Sequence, residues 1–133
     1  MLYRMRIYQA VRENLPVFHD FFRTWLLPVQ LRHGARLVGR WETEDGRVVA
    51  IWEYDDRAAY EHIEAAVRAD PDSRRAQEHR LQLPALMTAT EETLMSSTIE
   101  PVPAPGEKSQ GQAGPGSRPP SAGASTRQRP AWP

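Results

Sequence analysis

The chain has 133 residues, 40% hydrophobic and 26% charged, a balance that fits one soluble domain and excludes a fibrous or wholly disordered chain. Seventeen basic residues offset seventeen acidic ones, so no net field points to nucleic acid or an anionic membrane surface. Cysteine is absent, which removes disulfides, thiolate nucleophiles and zinc-thiolate sites.

The opening MLYRMRIYQ lacks the apolar region of a signal peptide, and no run is long and apolar enough for a membrane span, so the expected compartment is the cytoplasm. Tyr3 to Gln9 alternates Tyr3, Met5 and Ile7 with Arg4, Arg6 and Tyr8, a period of two that predicts a half-buried strand. The apolar set is expected to meet the helices. The arginines would then look into solvent, a wet cavity or a second subunit, because burying them demands partners.

Asn14 and Pro16 open a helical pattern in which Val17, Phe18, Phe21, Phe22, Trp25 and Leu26 form one stripe. Pro28 should kink or break that helix, a last turn would close at Gly34 in the left-handed conformation, and His33 would sit at the negative helix end. From His33 to Tyr54 the sequence reads as a hairpin around Glu44-Asp45-Gly46, with glycine supplying the positive φ of the turn. Leu37, Gly39 and Trp41 should share one face of its first strand, and Val48, Ala50, Trp52 and Tyr54 one face of its second. Gly39 leaves a gap that admits a bulge, another backbone or a ligand.

Asp55-Asp56 offers a cap for a second helix from Arg57 to Ala69, ended by Pro71. Asp72 or Ser73 would cap a short polar third helix running to about Leu81, and a final strand falls within Glu91 to Ile99. From Pro101 the chain turns to Pro, Gly, Ser, Ala and Gln, too little apolar surface to offset ordering entropy. The expected division is a folded domain over residues 1–99 and a disordered tail over residues 100–133.

The order strand, helix, strand, strand, helix, strand is the βαββαβ ferredoxin-like arrangement of the α+β class. YRMRIYQ, Leu27-Pro28, HGARLVGRW, VVAIWEYDD and Ala69-Asp70-Pro71, in that order and at that spacing, resemble the NIPSNAP family. The resemblance implies a ferredoxin-like protomer whose exposed sheet face packs on a twofold mate, forming a dimeric α/β barrel. It fixes architecture more than chemistry, since folds of this kind host several functions. The EDGR turn is shorter than the family's usual loop, and LPALMTATEE differs from its usual run into the last strand.

Arg6, Tyr8, Arg36, Trp41, Trp52 and Tyr54 are the candidate ligand-binding residues, with Tyr8 and His33 as catalytic candidates. Guanidinium, phenol and imidazole groups on an aromatic wall suit a planar anionic or phenolic molecule, and an imidazole is the side chain suited to general-base work. The plainer alternative is that the tryptophans pack the core and interface, Arg6 pairs with Glu53 or a mate's carboxylate, and His33 merely ends a helix. His19, His62 and His79 fall on separate predicted helices without metal-ligand spacing, so neither metal nor cofactor is expected. The leading functional expectation is a homodimeric binder of a small hydrophobic or aromatic molecule. The alternatives are a cofactor-independent monooxygenase or isomerase of an aromatic metabolite, using Tyr8, His33 and Trp52, and a structural or adaptor dimer.

Overall fold

The computed structural model describes residues 1–99 and, as backbone, Thr126–Gln128. In chain order these are β1 (Leu2–Ala10), α1 (Leu15–Phe21), a π turn (Phe22–Leu26), α2 (Leu27–Arg32), β2 (Arg36–Glu42), β3 (Arg47–Tyr54), α3 (Arg57–Ala69), α4 (Pro71–Arg80), β4 (Met87–Ser96) and β5 (Thr126–Gln128). The antiparallel sheet runs β2-β3-β1-β4-β5, and its first four strands have the ferredoxin-like order, with α4 inserted before β4. β5 adds to the outer edge of β4, with Glu92 opposite Arg127. The rest of the tail expected over residues 100–133 lies outside the described residues.

Strand register decides which face the helices cover. Val48, Ala50, Trp52 and Tyr54 of β3 form a continuous buried row, and pairing sets Tyr8, Arg6, Arg4 and Leu2 of β1 directly beside them. Arg4, Arg6 and Tyr8 therefore lie beneath the helices, and Tyr3, Met5 and Ile7 occupy the opposite, half-exposed face. This reverses the sequence expectation. The apolar appearance of Tyr3, Met5 and Ile7 lost to the aromatic row of β3, because neighbouring strands must present their paired residues to the same side.

A bulge between Leu37 and Gly39 shifts the β2 register. Leu37 pairs with Trp52 on the helix side, whereas Gly39 and Trp41 pair with Ile51 and Val49 on the open side, so these three residues do not share a face. The Trp41 indole folds back across Gly39, where an added Cβ would collide with its Cζ2 atom. Any larger residue there would force the indole to move.

Phe18, Phe21, Phe22, Leu26 and Val29 seat the first helical segment on the sheet. Full burial of each such side chain contributes about 1.5–3 kcal/mol. Pro28 cannot donate to Thr24, and the turn before it widens so that the Leu27 N–H reaches the Phe22 carbonyl five residues back. Asn14 stands at the N-cap position of this segment, but its side chain makes no capping bond; its Nδ2 donates to the Ala85 carbonyl at 2.8 Å. Gly34, at φ +99°, closes α2 with Gly34 N–H to Leu31 O and Ala35 N–H to Gln30 O, the double bond pattern of a left-handed helix end.

Asp56 caps α3 by accepting from the Ala59 N–H at 2.8 Å. Pro71 opens α4 as well as ending α3, and Asp70, rather than Asp72 or Ser73, is its cap, accepting from the Asp72 N–H at 2.8 Å. Ser73 is buried and donates to the Val67 carbonyl at 2.6 Å. β4 begins at Met87, four residues before the expected window, because Ala89 and Thr90 continue the pairing with Gln9 and Tyr8.

Asp70 also accepts from Arg32 Nη2 at 2.6 Å and binds His33 Nε2 at 2.8 Å, clasping the end of α2 to the start of α4. Arg32 above all, then the Asp72 amide and His33, hold its carboxyl well below the usual carboxylate range. A depressed carboxylate contributes stability that is present above its unfolded pKa of about 3.9 and drains away as pH falls toward the folded value. Asp70→Asn is expected to lower Tm by several degrees at pH 7, with the gap to wild type narrowing below about pH 4 in thermal scans. A gap independent of pH would contradict the assignment.

Candidate functional site

Beneath the helices the sheet carries charge. Arg4 Nη1 lies 3.4 Å from Glu92 Oε1 and 3.5 Å from Glu64 Oε2, and its guanidinium carbon is 5.6–6.0 Å from the rings of Trp52, Tyr54 and Tyr60. Burial works against the Arg4 charge, but Tyr54, Glu92, Tyr60 and Tyr8 around it outweigh that effect and hold its pKa above the ordinary arginine value. Desolvation pushes the Tyr54 phenol up. Arg6 is also buried, 5.5 Å from the Tyr8 ring and opposite Glu92 in the strand register.

Arg6, Tyr8, Trp52 and Tyr54 are thus brought together as packed interior. Arg36 and Trp41 lie on the open face instead. Arg36 binds Glu53 at 2.9 Å and Asp55 at 3.0 Å, and Tyr3 donates to the same Glu53 at 2.8 Å. Those hydrogen bonds hold Glu53 below the usual carboxylate range, with Arg36 the larger cause, and the Glu53 contact raises the Tyr3 phenol. His33 stands apart from Tyr8 and Trp52, in the clasp with Asp70. Glu53 is therefore paired with Tyr3 and Arg36, and Arg6 sits on the other side of the sheet.

A cleft of about 360 Å³ opens where β2 meets the first helical segment, lined by His19, Phe22, Arg23, Leu27, Arg40, Trp41 and Glu42. Trp41 alone of these lining residues was a sequence candidate. Arg40 pairs with Ala50, which turns its guanidinium inward, 4.8 Å from the Phe18 ring and 4.3 Å from the Phe22 ring. Its Nη1 donates to His19 Nδ1 at 2.8 Å, and because a guanidinium can only donate, His19 Nε2 is the atom that donates to Glu42 Oε1, also at 2.8 Å. Arg40 Nε and Nη2 are closed off from solvent and have no acceptor among the described residues. Burial, reinforced by Arg23, pushes the Arg40 pKa down to about 10, against the opposing pull of Tyr8 and Glu42.

Strand parity alone does not find this cleft: it sets Arg40 opposite Leu37 as well as Trp41, and only the bulge after Leu37 brings Arg40 to the helix side with Leu37. Among the described residues no three His, Asp or Glu side chains converge as a metal site, and no helix is long and apolar enough to cross a membrane.

The antiparallel sheet under one helical layer defines a ferredoxin-like α+β protein. The NIPSNAP signature matches residues 3–99, and the chain belongs to the NIPSNAP family. An uncharacterized NIPSNAP domain protein from Burkholderia xenovorans is 24% identical, with 82% of this chain and 100% of that one covered and a TM-score of 0.63. A NIPSNAP family protein of unknown function from Agrobacterium tumefaciens is 22% identical over 71% of this chain and 86% of that one, with a TM-score of 0.62. A structure described as an antibiotic biosynthesis monooxygenase is 16% identical over 74% of this chain and 100% of that one, with a TM-score of 0.53. At these identities the likeness is one of fold. No curated protein matches the chain.

Removing one partner of a buried ion pair strands the other charge, at a cost of about 3 kcal/mol. Glu92→Ala is expected to lose about that much stability in urea unfolding, and Glu64→Ala, at the solvated rim of the cluster, about 1 kcal/mol or less. Equal losses would show that Glu92 is not the principal counter-charge.

Proposed function

We propose that this NIPSNAP-family protein works in the cytoplasm as a homodimer, two sheets closing face to face into an α/β barrel, and binds a small hydrophobic or aromatic molecule. The observation that carries the dimer is the open sheet face. Met5, Ile7, Val49 and Ile51 form a half-exposed apolar patch at its centre, and Trp41, 50% exposed, stands at its β2 border. A contiguous apolar face of this kind gains by covering, and a sheet face is self-complementary under a twofold axis. The Arg36–Glu53–Tyr3 network lies at one margin, the polar rim such an interface needs.

The cleft beside β2 supports the binding half of the reading. Its volume lies at the lower end of ordinary small-molecule pockets, and Phe22, Leu27 and Trp41 supply apolar wall.

Light scattering at micromolar concentration is expected to give twice the 15.1 kDa chain mass, and Ile51→Glu, placing a charge in the centre of the patch, is expected to weaken the dimer at least about tenfold. A monomeric wild-type mass would contradict the dimer. Indole, as a neutral aromatic probe, is expected to shift the Trp41 resonance saturably in NMR titrations, and a flat titration would contradict the binding half.

A further inference from the structure

We propose that the cleft beside β2 is an anion-recognition site: the Nε–Nη2 edge of Arg40 takes the carboxylate of a planar, apolar-bodied ligand in a bidentate grip, with Phe22 and Trp41 walling its body. This rests on the small-molecule reading above and names the ligand's chemical class.

The carrying observation is which corner of the guanidinium is used. His19 occupies Nη1, and the two nitrogens left without an acceptor among the described residues, Nε and Nη2, are adjacent. They present parallel N–H groups along one edge, the fork that matches the two oxygens of a carboxylate. Buried donors lacking acceptors are costly, and a group that supplies both acceptors at once relieves that cost.

The surroundings hold Arg40 ready for such a partner. Phe18 and Phe22 flank the cation, and the His19–Glu42 relay fixes the Nη1 corner, so little side-chain freedom is left to lose on binding. Glu42 is spent on His19 rather than on Arg40. Arg23 adds a second positive charge at the mouth, paired with Asp20 only at 3.9 Å. Arg23 and Trp41 are both exposed, and the proposal requires these two side chains to turn aside for the ligand to reach the buried edge. The π turn supplies Phe22 and Arg23 to the cleft, so the widening that Pro28 imposes also shapes its wall.

The test compares benzoate with its neutral isostere benzamide on the full chain, read by two-dimensional ¹H–¹⁵N NMR at the arginine Nε–H and tryptophan indole resonances. Benzoate is expected to bind saturably in the millimolar range usual for a fragment of its size, moving the Arg40 Nε–H, and benzamide to bind about tenfold more weakly. Arg40→Met keeps the aliphatic stem and removes the fork; it is expected to lose about tenfold in benzoate affinity, keep benzamide binding and keep a wild-type circular dichroism spectrum. If that variant fails to fold, Arg40→Lys, which keeps the charge without the fork, is read instead and is expected to show the same selective loss. Equal binding of the two probes, or undiminished benzoate affinity in the variant, overturns the anion site. Benzoate that binds while the Arg40 Nε–H stays still overturns it too but leaves the small-molecule reading standing, whereas failure of indole, benzamide and benzoate alike removes both.

Discussion

Pairing between β1 and β3 is the constraint on which the rest of the structure depends. Once Val48, Ala50, Trp52 and Tyr54 are committed to the helices, the antiparallel register commits Arg4, Arg6 and Tyr8 with them. Two arginines enter the interior as a consequence, and they bring Glu92, Glu64 and a ring of aromatic side chains as their compensation. The same parity leaves Met5, Ile7, Val49 and Ile51 on the outside. A charged interior and an apolar exterior are two results of one register.

That inversion separates the roles of the two faces. The helix-covered face is filled by large side chains, Arg6, Tyr54, Phe18 and Phe21 among them, and is built for cohesion. The open face has the composition of an interface. The cleft lies at the border between them, along β2, where the bulge after Leu37 and the missing Cβ of Gly39 let Trp41 lie across the strand while Arg40 points inward. β2 is an edge strand, so one side of it is free of a neighbouring strand.

The order of elements from β1 to β4, the EDGR turn, the Asp56 cap, the exact span of α3 and the Gly34 helix end were legible in the sequence because each follows from local chemistry: turn residues, capping side chains and periodicity. The facing of β1 was not, because Tyr3, Met5 and Ile7 look like a core stripe when taken alone, and what decides the matter is the pairing with β3, forty-odd residues away. Pro71 misled in a similar way: a proline that ends one helix also fits the first position of the next, and Asp70 satisfies the new helix start. Of the candidate site, the aromatic and basic composition was visible, but its division between interior, open face and cleft was set by parity and by one bulge. Arg40 went unmarked because its significance lies in which of its nitrogens are left over, a matter of three-dimensional contacts with His19 and Phe22.

The parity of β1 and the pairing of two open faces meet in one measurement, an isotope-filtered NOE experiment on dimers mixed from labelled and unlabelled chains. Intermolecular signals are expected from the methyl groups of Met5, Ile7 and Ile51, with none from the helix-covered Ala50 or Leu94. Intermolecular signals confined to helix surfaces, or absent altogether from a sample in which the labelled chain is folded, would contradict the assignment of the open face to a second copy.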